Sequence, residues 1–218
     1  MQSFTRRAQR WTTRAADQRS AGRRVVPGVV FSAWHSGPVM EVVIAEPGEL
    51  TQADMNTAEA LVRAAFGDSF RAHDWLHGVD GVHVLVTEQD VLLAHASVVT
   101  RTLRYGSESF PTGYVESVAV RADQQGRGLG RLVMDHAEAI IRAEHQLGAL
   151  NAVESAAPFY AALGWRPWTG HTQADTPDGV VDTYHPDDRI FVLPTVGTGR
   201  RFEETSPLIC DWRVGDLW

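Results

Sequence analysis

The chain has no lysine, a single cysteine and no long apolar run. The missing lysine excludes a Walker A loop, which needs that side chain to reach the phosphates. With only Cys210, no intramolecular disulfide can form, and an intracellular, reducing compartment fits. No stretch approaches the roughly 20 apolar residues of a membrane-spanning helix, so no membrane association is expected. A chain of 218 residues buries enough apolar surface to fold without disulfide staples, as one domain or one domain plus an appendage.

Charge is unevenly spread. Residues 1–39 hold seven arginines and one acid, Asp17, for a net of +6. Residues 40–218 hold 13 arginines and 26 acids, for a net of −13. So acidic a body repels nucleic acid and attracts small cations; plain solubility is the simpler reading of the same imbalance. The basic segment has little apolar periodicity and reads as a disordered extension preceding a domain over 40–218. Arg6-Arg7 suggests an export signal, but residues 8–24 are polar where such a signal needs an apolar core. Met40 opens a strand-like run and is a second candidate translation start.

Thr51 with Asp54 resembles a capping box, and Leu61, Val62, Ala65 and Phe66 follow at helical spacing, predicting a helix over 52–66. Residues 67–77 read as a polar loop. Strands are expected at 40–45, 82–86, 91–103, 114–120, 149–153, 190–194 and 208–212, with helices over about 129–146 and 156–163. The stretch 170–188, rich in Thr, Asp, Pro and Gly, reads as a long loop. This order predicts an α/β fold of the α+β kind, with a mixed, mostly antiparallel central sheet flanked by helices.

The most informative stretch runs from Val118 to Arg131. A strand ends, a turn containing Gly126, Gly128 and Gly130 follows, and an amphipathic helix begins. Such glycines let backbone N–H groups converge beside the positive end of the helix dipole, where a pyrophosphate can bind. A glycine-rich turn without a ligand is the bland alternative. Gln125-x-x-Gly128-x-Gly130 resembles the coenzyme A loop of GNAT acetyltransferases. Further stretches resemble the aminoglycoside 2'-N-acetyltransferases within that superfamily. They are Gly113-Tyr-Val-Glu-Ser-Val-Ala-Val, Gln146-Leu-Gly-Ala-Leu and the terminal Cys210-Asp-Trp-Arg-Val-Gly-Asp-Leu-Trp. The last is the most specific, and the resemblance spans about residues 40–218.

The resemblance implies a GNAT fold and a cytoplasmic homodimer. It implies direct transfer from acetyl-CoA to the 2'-amine of an aminoglycoside, with no metal. Val118, Ala119 and Val120 would pair with the pantetheine arm. Gln125, Gly126, Arg127, Gly128, Leu129, Gly130 and Arg131 would hold the pyrophosphate. The Val118 N–H is a candidate for polarising the thioester carbonyl. Glu116, two residues before Val118 and so expected on the same strand face, is the candidate base; a structural carboxylate paired with an arginine is its other reading. Tyr160 is the candidate acid for the leaving thiolate, or else a packed core ring.

Carboxylates bind ammonium groups by charge-assisted hydrogen bonds. Asp74, Asp187, Asp188, Asp216 and the Trp218 carboxylate are the candidate acceptor contacts, with Ser117 and Asn151 implied by the resemblance. Where the family tends to place an aspartate after the first helix, this chain has Ser69, with Asp68 beside it. The loop alignment does not rank Asp187 against Asp188. His73 and His77 lack the carboxylate of a metal motif. A natural amino sugar, such as a cell-wall component, is the alternative substrate. A CoA-binding regulatory module would not need Glu116 and Tyr160, and a nucleic-acid binder is suggested only by the basic extension.

Overall fold

A computed structural model describes residues 40–198 and 206–218. The basic extension expected over 1–39 lies outside these residues. The described strands are β1 (Met40–Ala45), β2 (Val82–Glu88), β3 (Val91–Tyr105), β4 (Glu108–Val120), β5 (Leu147–Asn151), β6 (Arg166–Pro167), β7 (Thr172–Thr176), β8 (Gly179–Asp182), β9 (Ile190–Pro194) and β10 (Leu208–Asp211). The helices are α1 (Gln52–Phe66), α2 (Ala72–Val79), α3 (Leu129–Glu144) and α4 (Ala157–Ala162).

The strands form one sheet in the order β6-β9-β5-β4-β3-β10-β7-β8, with the antiparallel β1–β2 pair also joined to β3 through β2. Only β4–β5 and β10–β7 are parallel, so the sheet is mixed and mostly antiparallel, as expected. The long β3 shares one edge between two partners. Its first half pairs with β2 and its far end with β10. Residues 208–211, from the other end of the chain, thereby follow β2 along the same edge of β3.

Helix α3 packs on one face, burying Leu129, Val133, Met134, Ala137, Ile140 and Ile141 against strand residues such as Val84, Val86 and Val98. No side chain caps it. Each fully buried Leu, Val, Met or Ile contributes about 1.5–3 kcal/mol, against about 1 kcal/mol for a cap, so packing holds this helix. On the opposite face, Ala58, Leu61 and Val62 of α1 and Trp75 of α2 cover Leu85, Leu92 and Ala119. Thr51 caps α1: its Oγ1 accepts the Asp54 N–H at 3.2 Å, and the Asp54 carboxylate accepts the Thr51 N–H at 3.1 Å.

Two expectations are corrected. Residues 67–77 are not a loop: a 3-10 turn at Gly67–Ser69 leads into α2. The helix signal was present but disguised, since Asp74 accepts the Arg71 N–H at 2.7 Å although the cap position is an arginine. Residues 170–188 are not a long loop either. They contain the β7–β8 hairpin, closed by the Thr176↔Gly179 pair, and β7 is held in the sheet by β10. Thr172 and Ala174 are buried and Asp175 exposed, but β8 is exposed throughout, so composition alone resembled a loop. Strand β4 also begins earlier than expected, at Glu108.

Candidate active site

Strands β4 and β5 pair only through Thr112–Tyr114 and Leu147–Ala149. Beyond that point a cleft of about 380 Å³ opens, lined by Val115–Val118 on one side and Leu150–Val153 on the other. A bulge shapes the β4 wall. Ser97 pairs with Glu116 and His95 with Ala119, so Ser117 and Val118 together oppose the single residue between them on β3. Ser117 sits at φ 56°, a left-handed conformation uncommon for a side-chain-bearing residue. The simple alternation expected for Glu116 and Val118 is therefore broken. Glu116, Ser117 and Val118 line the cleft as three consecutive residues.

At the end of β4 the chain passes through a 3-10 turn at Ala122–Gln124 into the glycine loop. Gly126 and Gly128 have φ of 76° and 82°, and a Cβ on either would meet no atom within 4 Å. Their glycine requirement is thus conformational, with open space in front of the loop. Gly128 is the N-cap of α3 and offers no side chain, leaving the first-turn N–H groups without a side-chain acceptor. Gln125, Leu129, Gly130 and Arg131 follow the expected order around this turn. Arg127 is engaged locally with Gln124 and, at 3.3 Å, with Glu88. An uncapped helix start behind two left-handed glycines suits the pyrophosphate of coenzyme A.

The cleft gathers five carboxylates, Asp74, Glu116, Asp187, Asp188 and Asp216, from four separate segments. Their present partners differ. Asp74 accepts the Arg71 N–H and lies 3.2 Å from His73, so it also caps α2. Asp216 accepts the Trp218 N–H at 3.2 Å. Asn151 reaches Asp188 at 3.5 Å and accepts the Arg189 N–H at 3.1 Å, holding the loop at its place. Burial, with Asp216 and Asp187 adding repulsion, raises the Asp188 carboxyl above its ordinary value; the Asn151 hydrogen bond opposes this. Trp218 is buried, and its indole N–H donates to Thr183 at 2.7 Å.

Glu116 forms an ion pair at 2.5 Å with Arg213, a residue the sequence reading had not singled out. Arg213 also donates to the Asp216 carbonyl at 2.6 Å and lies 5.4 Å above the Tyr114 ring. His77, weighed in the sequence only as a metal ligand, lines the cleft and bonds the Val214 carbonyl at 2.7 Å through Nε2. Burial leads in lowering its pKa. Arg213 lies inside the terminal block that carries the family resemblance, which was the available signal. For His77, the signal was its place three residues after Asp74 on a helix that had been read as a loop.

Tyr160 is both a packed ring and a cleft-lining residue. Its ring packs 5.9 Å from Phe191 and 6.4 Å from Trp165, while the residue lines the cleft. Burial raises its phenol well above the ordinary value. Ser117 Oγ is buried and has no hydrogen-bond partner among the described residues. Asp68 is exposed and, with Ser69, sits in the 3-10 turn; its neighbours Phe66 and Phe70 line the cleft, and Asp68 does not. Cys210 is buried, and burial pushes its thiol up to about 11.

Residues 46–168 match the family model described as an acetyltransferase (GNAT) domain, more than half of the chain. The chain belongs to the GNAT acetyltransferase family. The aminoglycoside 2'-N-acetyltransferase of Mycolicibacterium fortuitum is 41% identical over 171 residues, covering 78% of this chain and 88% of that protein. Two solved structures share the fold at low identity. The Escherichia coli GNAT family N-acetyltransferase YhbS, in complex with CoA, is 12% identical with a TM-score of 0.57 over 82% of this chain and 93% of that one. Escherichia coli ElaA is 16% identical with a TM-score of 0.55 over 71% of this chain and 99% of that one.

Proposed function

We propose that this protein transfers the acetyl group of acetyl-CoA to the 2'-amine of aminoglycosides, by direct attack without an acyl-enzyme. The observation that carries the substrate class is the convergence of five carboxylates on one cleft beside the divergence of β4 and β5. An aminoglycoside offers several ammonium groups, and this wall is charged to receive them. The 41% identity to the Mycolicibacterium fortuitum aminoglycoside 2'-N-acetyltransferase supports the same substrate.

Bound acetyl-CoA supplies the thioester. The glycine loop from Gln125 to Arg131 binds its pyrophosphate, and Val118, Ala119 and Val120 present a strand edge to its pantetheine arm. The Val118 N–H faces the thioester oxygen. Glu116 accepts the proton of the incoming ammonium, directly or through water, once a substrate cation has displaced Arg213 from it. Attack by the neutral amine forms the C–N bond as the C–S bond breaks. Tyr160, held protonated by burial, gives its proton to the departing sulfur. Asp74, Asp187, Asp188, Asp216 and Asn151 hold the other substrate groups. A homodimer, cytoplasmic residence and antibiotic resistance belong to this reading. Sedimentation of the intact chain, fractionation of its host and drug susceptibility test them.

Free-thiol release from acetyl-CoA is the direct assay. Tobramycin and gentamicin, which carry a 2'-amine, are expected to be acetylated. Kanamycin A has a hydroxyl there and is expected to be inert at that position. Equal turnover of kanamycin A rules out the 2' assignment. Turnover of glucosamine alone, with none of the drugs, favours a natural amino sugar instead.

A further inference from the structure

Beneath the bulge lies a pair of histidines that the transfer chemistry above leaves unused. His83 and His95 are 2% and 0% exposed. They connect two backbone carbonyls in a line. His83 Nε2 is 3.1 Å from the carbonyl of Val79, the last residue of α2. His83 Nδ1 is 2.9 Å from His95 Nε2, and His95 Nδ1 is 2.9 Å from the Ser117 carbonyl. Trp75 of α2 packs 5.9 Å from the His95 ring and 6.5 Å from the His83 ring.

The Ser117 carbonyl belongs to the peptide unit that also carries the Val118 N–H. Among the described residues no peptide is cis. In a planar trans unit the C=O and N–H point in opposite directions. The carbonyl is turned toward β3, where His95 receives it. The N–H therefore points to the β5 side, where the ladder has already ended and the cleft opens. A donor on the carbonyl also polarises the unit and strengthens its N–H as a donor.

We propose that His95, backed by His83, is a positioning residue that orients the Ser117–Val118 peptide so that its N–H faces the thioester oxygen. The proposal rests on the acetyltransferase reading, but its proton arrangement can be read without substrate. The Ser117 carbonyl only accepts, so His95 carries its proton on Nδ1 and leaves Nε2 bare. Two neutral imidazoles supply two N–H groups to three contacts, so His83 donates either from Nδ1 to His95 Nε2 or from Nε2 to the Val79 carbonyl, and His95 keeps the same tautomer in both cases. Burial, which pushes His95 down to about 3, keeps a third proton away at neutral pH.

Ring-nitrogen ¹⁵N spectra of the substrate-free protein are expected to show His95 protonated at Nδ1 and bare at Nε2. A His95 protonated at Nε2 alone would leave Ser117 without its donor and overturns the proposal. Kinetics give a second, independent reading. Asparagine places its amide N–H near the Nδ1 position, and glutamine near Nε2. His95→Gln is expected to lower kcat about 10- to 100-fold, below the loss seen when an oxyanion donor is deleted outright. His95→Asn should recover most of that loss, with the acetyl-CoA KM nearly unchanged in both. Equal kcat in the two variants, or a loss confined to KM, contradicts the role. If neither variant folds, the tautomer decides. A wild-type protein that releases no thiol with any amine acceptor counts against the enzyme reading and leaves the tautomer result standing.

Discussion

The glycine loop and the acidic cleft adjoin the same strand yet are built on opposite plans. The loop is contiguous, from Gln125 to Arg131, and depends on backbone conformation, with Gly126 and Gly128 at positive φ. The cleft is assembled from side chains as distant as Asp74 and Asp216. Residues 46–168 match the family domain, and this span contains the loop. Asp187, Asp188, Arg213 and Asp216 lie beyond it. The part proposed to hold the common cosubstrate is local and general. The part proposed to select the acceptor is long-range and particular.

Variants should separate the two. The largest effect is expected at the junction of the halves. Tyr160→Phe should lower kcat about 10- to 10⁴-fold, as for a lost general acid, with acetyl-CoA binding little changed. An unchanged kcat where chemistry limits turnover would return Tyr160 to the core alone.

Next come the buried histidines. Burial lowers the pKa of His95 to about 3, and those of His83, His77 and His145 also fall. The unfolded chain, with histidine pKa near 6.5, binds more protons than the native state in this window. Stability is therefore full above about pH 6.5 and falls as pH is lowered toward 3. For His95 the loss is at most about 1.4 kcal/mol per pH unit over that window, and the three less buried histidines act in the same direction. Thermal melts at stepped pH measure this, and a flat Tm between pH 6.5 and 4 would contradict it.

On the loop side, Gly128→Val places a β-branched residue at φ 82°. The left-handed penalty of about 1–2 kcal/mol predicts a roughly tenfold weaker coenzyme A affinity by calorimetry, with the aminoglycoside KM unaffected. Unaltered CoA affinity would move the cosubstrate site elsewhere. On the cleft side the smallest change is expected. Arg213→Met removes the cation that competes with the drug for Glu116. It should lower the aminoglycoside KM about 2- to 5-fold, the scale of a partly exposed ion pair. A raised KM would show that Arg213 supports the wall rather than guarding it.

This contrast also explains what the sequence revealed. The capping box at Thr51, the helix after Gly128 and the coenzyme loop are read from neighbours a few residues apart, and all were legible. Helix α2 was missed because it is short and starts at an arginine. The β7–β8 hairpin was missed because β8 has no buried face and its partner β7 is held by β10, far along the chain. The bulge was invisible because Ser117 adopts a left-handed φ without being glycine. Glu116 and Tyr160 were named as site residues. Which arginine faces Glu116 is a tertiary fact, as is the line of histidines under Ser117.

The pairing of Glu116 with Arg213 has a chemical corollary. In the proposed mechanism the place of the incoming amine is held, before substrate arrives, by the Arg213 side chain 2.5 Å from Glu116. A guanidinium has no free amine lone pair and cannot be acetylated there. A lysine could lose its proton to Glu116 and become the enzyme's own first acceptor. Arg213→Lys should accordingly acquire an acetyl group at that position on mixing with acetyl-CoA alone, seen by peptide mass spectrometry. All 20 cationic side chains of the chain are arginine. The protein thus presents its activated thioester with no side-chain amine of its own to spoil, self-modification being removed at the level of composition.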